Sequence, residues 1–298
     1  MKNITIVSGK GGVGKSMIAS SISVMLSREM KVVVADCDVD APDLGLSLGL
    51  NDNDYESWNE ITTNEKAVLV DKKCTGCRKC VDVCTFGAIK WDEKRKKPVF
   101  NSLFCEGCGS CELVCPENAI ELKEVNNAVI GIGKTAYGFP IITGQLKMGE
   151  SGSGKVIFIV KETAMKMAER ERAEIMLTDA AAGIGCPVIA SVRGSDYVIA
   201  VTEPTPSALS DVIRMLDIVK HFDIEHGLVI NKFDLNPEFS EKIEKFAKSM
   251  GISVLGKIPY DRKFVDAIVN RKPAVIYDKQ FENVFNEIID NMKNAIGI

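Results

Sequence analysis

Near the N-terminus the sequence reads Ile4-Thr5-Ile6-Val7-Ser8, then Gly9-Lys10-Gly11-Gly12-Val13-Gly14-Lys15-Ser16-Met17, then apolar residues at Ile18, Ile22, Met25 and Leu26. A β-branched run, a glycine turn and helical spacing, in that order, predict strand, loop and helix. The octapeptide 9–16 fits G-x-x-x-x-G-K-[ST]. In such a loop backbone N–H groups cradle phosphates, the lysine reaches the β- and γ-phosphates, and the hydroxyl serves Mg²⁺. Gly9, Gly11 and Gly14 also fit the dinucleotide fingerprint G-x-G-x-x-G, with Asp36 closing the next apolar run at 31–35. Lys15 and Ser16 decide the matter, because both would be idle in a dinucleotide site. A second acid, Asp38, supplies the carboxylate that nucleotide hydrolysis needs near the γ-phosphate.

Working outward, the same alternation returns late in the chain. Residues 174–178, 197–201, 228–230 and 253–255 read as strands, and 207–221, 237–250 and 261–270 as the helices between them. Residues 156–169 suit a strand at their start, but the spacing favours a helix. Strands alternating with helices predict an α/β fold with a mostly parallel sheet covered on both faces.

Between these halves the pattern breaks. Residues 74–89 (CTGCRKCVDVCTFGAI) and 105–120 (CEGCGSCELVCPENAI) align at an offset of 31 and hold eight of the ten cysteines. Each half carries C-x2-C-x2-C-x3-C, in which three thiolates wrap one iron–sulfur cube and the fourth ligates the other. This assigns Cys74, Cys77, Cys80 and Cys115 to one [4Fe–4S] cluster, and Cys105, Cys108, Cys111 and Cys84 to a second. Zinc is the competing reading, but structural zinc sites space two C-x2-C knuckles by a longer loop. The repeat resembles a bacterial-type two-cluster ferredoxin. It departs from that pattern at Thr85, where the second half has Pro116. The expected organisation is a discontinuous nucleotide-binding domain, 1–63 and 126–298, with an inserted α+β domain at 64–125.

Composition bounds the rest. The 298 residues suggest about two domains at ~150 residues each. The net charge of -4 lacks the clustered positive charge of a nucleic-acid binder. No apolar run approaches the ~20 residues of a membrane span, and Met1-Lys2-Asn3 leads straight into the first strand. Ten cysteines without an export signal then point to metal chemistry in the cytoplasm.

Lys10 makes the glycine loop a deviant Walker A motif. With it the chain resembles the MinD/ParA/Mrp/nitrogenase-iron-protein family of P-loop ATPases, in the group that carries an inserted ferredoxin domain. That resemblance implies a SIMIBI-type fold and an ATP-linked homodimer, in which Lys10 reaches the partner subunit's phosphates. It implies that Asp38 orients the attacking water, that Asp179 holds Mg²⁺ through water beside Ser16, and that Gly183 senses the γ-phosphate. Asn231 becomes an adenine contact, with Pro259 and Asp261 in the loop closing over the base. Two departures stand out: Ala180-Ala181-Ala182 replaces the usual prolines after Asp179, and Asn231-Lys232-Phe233-Asp234 also fits the guanine-reading N-K-x-D. Lys10 favours ATP.

Other features have plain readings. Residues 149–156 (GESGSGKV) nearly repeat the phosphate loop, but a glycine-rich turn before a helix fits better. Cys186 invites a third, intersubunit cluster, against an ordinary buried thiol; Cys37 packs. Lys94-Arg95-Lys96-Lys97 marks a hairpin turn, either solvated or docking an acidic partner. Phe281, Val284, Phe285, Ile288, Ile289 and Met292 form a C-terminal helix face with mixed charges opposite, which predicts core packing and not membrane attachment. The expected function is ATP-gated electron transfer by the inserted domain, or iron–sulfur cluster assembly, with an unidentified redox or metallocofactor partner. A MinD/ParA-like positioning ATPase with structural clusters and an ATP-dependent small-molecule ligase are the rivals.

Overall fold

The computed structural model describes all 298 residues. In chain order the elements run β1 Lys2–Ser8, α1 Lys15–Leu26, β2 Val32–Cys37, α2 Leu44–Ser47, β3 Tyr55–Leu69, α3 Lys79–Val83, β4 Ile89–Asp92 and β5 Lys97–Phe100. There follow α4 Ser110–Leu113, β6 Ile120–Lys134, β7 Pro140–Leu146, α5 Ser153–Glu171, β8 Ile175–Ala182, α6 Cys186–Val192, β9 Tyr197–Thr202 and α7 Pro206–His221. The last are β10 Glu225–Asn231, α8 Pro237–Ser249, β11 Ser253–Ile258, α9 Arg262–Val269, α10 Ala274–Tyr277 and α11 Glu282–Ile296.

Two compact units emerge. The first comprises Met1–Asn59, Ile130–Gln145 and Ser153–Ile298; the second comprises Glu60–Val129 and Leu146–Gly152. Nine strands form one sheet in the order β11-β10-β9-β1-β8-β2-β7-β6-β3. From β11 to β7 every neighbouring pair is parallel. Such strands are buried on both faces, so successive residues feed opposite cores. Ile4 and Ile6 join the layer with α1, α9, α10 and α11, and Val7 joins the layer with α7 and α8. All six carboxyl ends of β1, β2, β8, β9, β10 and β11 lie on one edge of this parallel sheet, where open α/β folds bind ligands.

The expected strands fall within β2, β8, β9, β10 and β11, and α5 settles residues 156–169 as helix. Phe281, Phe285, Ile288, Ile289 and Met292 are buried, so α11 is a core helix. No helix is long and apolar enough to cross a membrane. Three strands were not anticipated. β7 adds parallel to β2 with Val34 opposite Ile141, and β6 and β3 extend the sheet beyond it.

The second unit is small. Its core is Ala67, Ala88, Ile89 and Ile120 together with Cys80, Cys105 and Cys111. The hairpin β4–β5 pairs Ile89 with Phe100 and Asp92 with Lys97, turning over 93–96. Residues 146–152 belong here rather than to the first unit. Asn127 Nδ2 donates to Ser151 O at 2.9 Å, Lys66 pairs with Glu150 at 3.1 Å, and Lys147 pairs with Glu60 at 2.6 Å. The glycine-rich turn is therefore a strap on this unit, with Gly149 and Gly152 at φ +74° and +96°.

Candidate functional site

The loop 9–14 leaves β1 and enters α1 at Lys15. Gly14 sits at φ +93°, and a Cβ there would lie 2.4 Å from Asn231 Nδ2. Its absence lets Asn231, at the end of β10, donate to Val13 O at 2.7 Å and hold the loop against the sheet. Val13 and Met17 are buried beneath it. The bare positions Gly11 and Gly12 have open space on the Cβ side.

Lys15 is only 6% exposed. Its Nζ lies 2.6 Å from Asp179 Oδ1, 3.4 Å from Ser16 Oγ and 3.9 Å from Asp38 Oδ2. Burial works against its charge, yet Asp179, Asp38 and Asp36 together hold the amine above its ordinary value. Asp36 and Asp179 are register partners on β2 and β8. Burial first, and then the Asp179 charge, push the Asp36 carboxyl up to about 8, although Asp38 N and Leu44 N donate to it. Asp38 is half-buried and likewise raised by burial, with Lys15 pulling the other way. Asp179 Oδ2 is buried and accepts no hydrogen bond. An unpartnered carboxylate oxygen beside a lysine and a serine hydroxyl suits a hydrated divalent cation.

β8 runs on through Ala182, so the three alanines that replace the usual prolines are strand, and the turn starts at Gly183. Gly183 has φ +104° and donates to Ser8 O at 2.9 Å. Cys186 corrects an expectation: its thiol is exposed at the start of α6, beyond the Gly183 turn that ends β8. Cys37 is buried as expected, with its thiol pushed up by burial.

A cavity of about 170 Å³ brings together Gly12, Gly14, Met17, Asn231, Pro259 and Asp261. Tyr260, Phe264, Val265 and Ile268 complete its apolar wall. Asp261 caps α9, accepting from Lys263 N at 2.8 Å. Asp234 accepts from Tyr260 N at 2.6 Å, which commits its carboxylate to the loop. Lys10 lies away from this cavity. Its Nζ pairs with Glu203 Oε1 at 2.9 Å and donates to Ser207 Oγ at 3.4 Å. Glu203 Oε2 pairs at 2.9 Å with Lys232, which also donates to Gly12 O at 3.1 Å. Glu203, just past β9, thus ties two lysines to the phosphate loop. Sequence reading missed this role, and its only available signal was position, at the carboxyl end of a parallel strand.

In the second unit two cavities hold the cysteines. One is lined by Cys84, Cys105, Cys108 and Cys111; the other by Cys74, Cys77, Cys80 and Cys115. No three His, Cys, Asp or Glu side chains converge to hold a single metal ion. Burial pushes the Cys80 thiol up to about 11, while the Ser110 hydroxyl lowers that of the exposed Cys108.

Residues 4–274 match the family model described as the CobQ/CobB/MinD/ParA nucleotide binding domain. The chain belongs to this family. An uncharacterised protein of Methanocaldococcus jannaschii is 40% identical over 98% of this chain and 97% of its own length. An iron-sulfur cluster carrier protein of Pyrococcus horikoshii is 22% identical over 99% of this chain and 88% of its own. Among solved structures, the septum site-determining protein MinD of Pyrococcus horikoshii, complexed with Mg-ADP, superposes with a TM-score of 0.60 at 18% identity. That match covers 98% of this chain and 95% of that one. The α/β, mostly parallel MinD/ParA-type P-loop fold and its nucleotide site are thereby shared with this family.

Proposed function

We propose that the chain is an ATP-dependent iron–sulfur protein of the MinD/ParA type. ATP and Mg²⁺ bind in the first unit, two [4Fe–4S] clusters belong to the second, and nucleotide turnover in a homodimer gates electron transfer or cluster transfer to a partner protein. The reading rests most on one observation: each cysteine cavity takes three thiols from one half of the repeat and one from the other. That crossed arrangement is what two cubanes need and what a pair of zinc knuckles does not. A cube also holds its thiolates at separated corners, which agrees with the lack of convergence on a single ion. The second unit is accordingly read as an inserted ferredoxin domain.

Within the first unit, Lys15 and the backbone of 9–14 would hold the phosphates, and Ser16 with Asp179 the Mg²⁺. Asp38 orients the attacking water, and Lys10 completes the partner subunit's site. Catalysis is then positioning plus charge stabilisation, without a covalent intermediate. Asp234 and Lys232 are committed to Tyr260 N, Glu203 and Gly12 O, which leaves them poorly placed to read guanine and favours ATP.

Anaerobically purified protein is expected to carry about eight iron atoms per chain and a broad band near ~400 nm. Its EPR redox titration is expected to change with ATP. One or two zinc ions without iron would end the cluster reading, and protection from unfolding by GTP but not by ATP would reverse the nucleotide assignment.

A further inference from the structure

The two halves of the cysteine repeat share their cysteines, yet differ sharply at the exposed positions around them. At the offset of 31, Lys72 and Lys73 correspond to Leu103 and Phe104, Arg78 and Lys79 to Gly109 and Ser110, and Asp82 to Leu113. Holding a cluster cannot explain the difference, since both halves have the same ligand spacing. The first half thus carries four cations at positions where the second half has none.

The hairpin strengthens this asymmetry. A Cβ on Gly76 would lie 2.8 Å from Lys96 O, so the hairpin turn packs directly on the Cys74–Cys77 loop. Arg78 lines the cavity of Cys74, Cys77, Cys80 and Cys115 and stacks 4.6 Å over the Trp91 ring. Residues 71–80 and 89–98 together hold nine lysines and arginines against three carboxylates. Asp71 and Glu93 pair with Arg95, Lys97, Lys96 and Arg78, but these pairs are largely solvent-exposed and leave a strong positive excess. Cys77, a proposed ligand of the first cluster, is exposed among these cations. The corresponding region of the second half presents Leu103 at 56%, Phe104 at 51% and Leu113 at 88% exposure.

We infer that the cationic face around Cys77 docks an acidic one-electron carrier protein, which exchanges electrons with the cluster held by Cys74, Cys77, Cys80 and Cys115. This deepens the proposed function and rests on it. One electron passes between the reduced carrier and the oxidised cluster, leaving the carrier oxidised by one unit and the cluster reduced by one. Charge steering raises the encounter rate and is lost with salt, whereas an apolar face such as that around Leu113 has no such dependence.

The test uses full-length, iron-loaded protein and a plant-type [2Fe–2S] ferredoxin of net negative charge as the probe. Binding is measured by titration calorimetry, and reduction by stopped flow, at low and high salt. The double variants Lys72→Glu/Lys79→Glu and Lys94→Glu/Lys96→Glu are expected to weaken binding at least tenfold and to flatten its salt dependence. Lys→Gln versions serve where the reversals disturb folding, and are expected to weaken it less. Iron content, dithionite reduction and ATP binding should not change. Affinity indifferent to these charges and to salt overturns the inference, as does equal charge-dependent binding of an RNA oligonucleotide or an anionic vesicle. Absence of iron instead defeats the underlying cluster reading, and an iron-loaded protein reducible by dithionite separates the two failures.

Discussion

Asp36 and Asp179 stand side by side on neighbouring strands, and Lys15 is the cation that lets two buried acids coexist. Its pull does not fully compensate Asp36, whose carboxyl sits near 8 through burial and the Asp179 charge. An unfolded aspartate titrates near ~4. Between those values the folded chain keeps a proton that the unfolded chain releases, so this group's contribution to stability falls as pH rises through that window. Asp36→Asn should flatten the dependence, gaining on the wild type between pH 5 and pH 8. Urea unfolding at both pH values, in EDTA without nucleotide, measures it, and parallel pH slopes for the two proteins would count against the electrostatic account. Glu203 makes a second residue-scale prediction. For Lys10 to reach a partner subunit's phosphates, its pair with Glu203 must break. Such a partly buried pair is worth about 1 kcal/mol, roughly a fivefold equilibrium shift. Glu203→Gln is therefore expected to tighten dimerisation in the presence of a non-hydrolysable ATP analogue by about that factor, read by sedimentation. Unchanged or weaker dimerisation would show that the pair does not restrain Lys10.

At the scale of elements, the second unit has a sparse apolar core built around its cysteines. Small domains of this kind need a staple, and metal-binding energy becomes folding energy. Anaerobic iron chelation is expected to abolish the unfolding transition of the second unit, while the transition of the first survives and still rises with Mg-ATP. Identical melting before and after iron removal would mean that the cysteine cavities hold the unit together unaided. The elements also show what was legible beforehand. The strands β2, β8, β9 and β10 announce themselves as apolar runs because parallel strands are buried on both faces. β3 is the edge of the sheet and carries Glu56, Ser57, Asn59 and Glu60 along its length, so no such run exists. Spacing sufficed to propose the crossed cysteine sets, since their chemistry is local. The bridge from Lys10 through Glu203 to Lys232 joins residues far apart in the chain, and only the folded strand ends bring them together.

For the whole molecule, the proposed coupling between nucleotide and clusters would begin in chain that belongs to the first unit. Helix α5 begins at Ser153, directly after Gly152 of the second unit. Its Lys161, buried with its amine depressed to about 8 by burial, donates to Ser191 O and to Arg193 O, the latter at 2.8 Å. Those carbonyls close α6, whose other end follows the Gly183 turn. Under the proposed function, a movement of that turn on γ-phosphate loss would meet α5 through this buried polar anchor. Asp38 is the place to separate binding from turnover. It lies 3.9 Å from Lys15 and makes no contact closer to that amine than Asp179 does. Asp38→Ala is thus expected to bind ATP nearly as the wild type while losing about 100-fold in hydrolysis, in the range for removal of a proton-handling or water-positioning group. Steady-state ATP-driven electron delivery should fall by the same factor, although a single binding event still alters the EPR signal. Wild-type rates of both hydrolysis and delivery in this variant would remove nucleotide turnover from the mechanism.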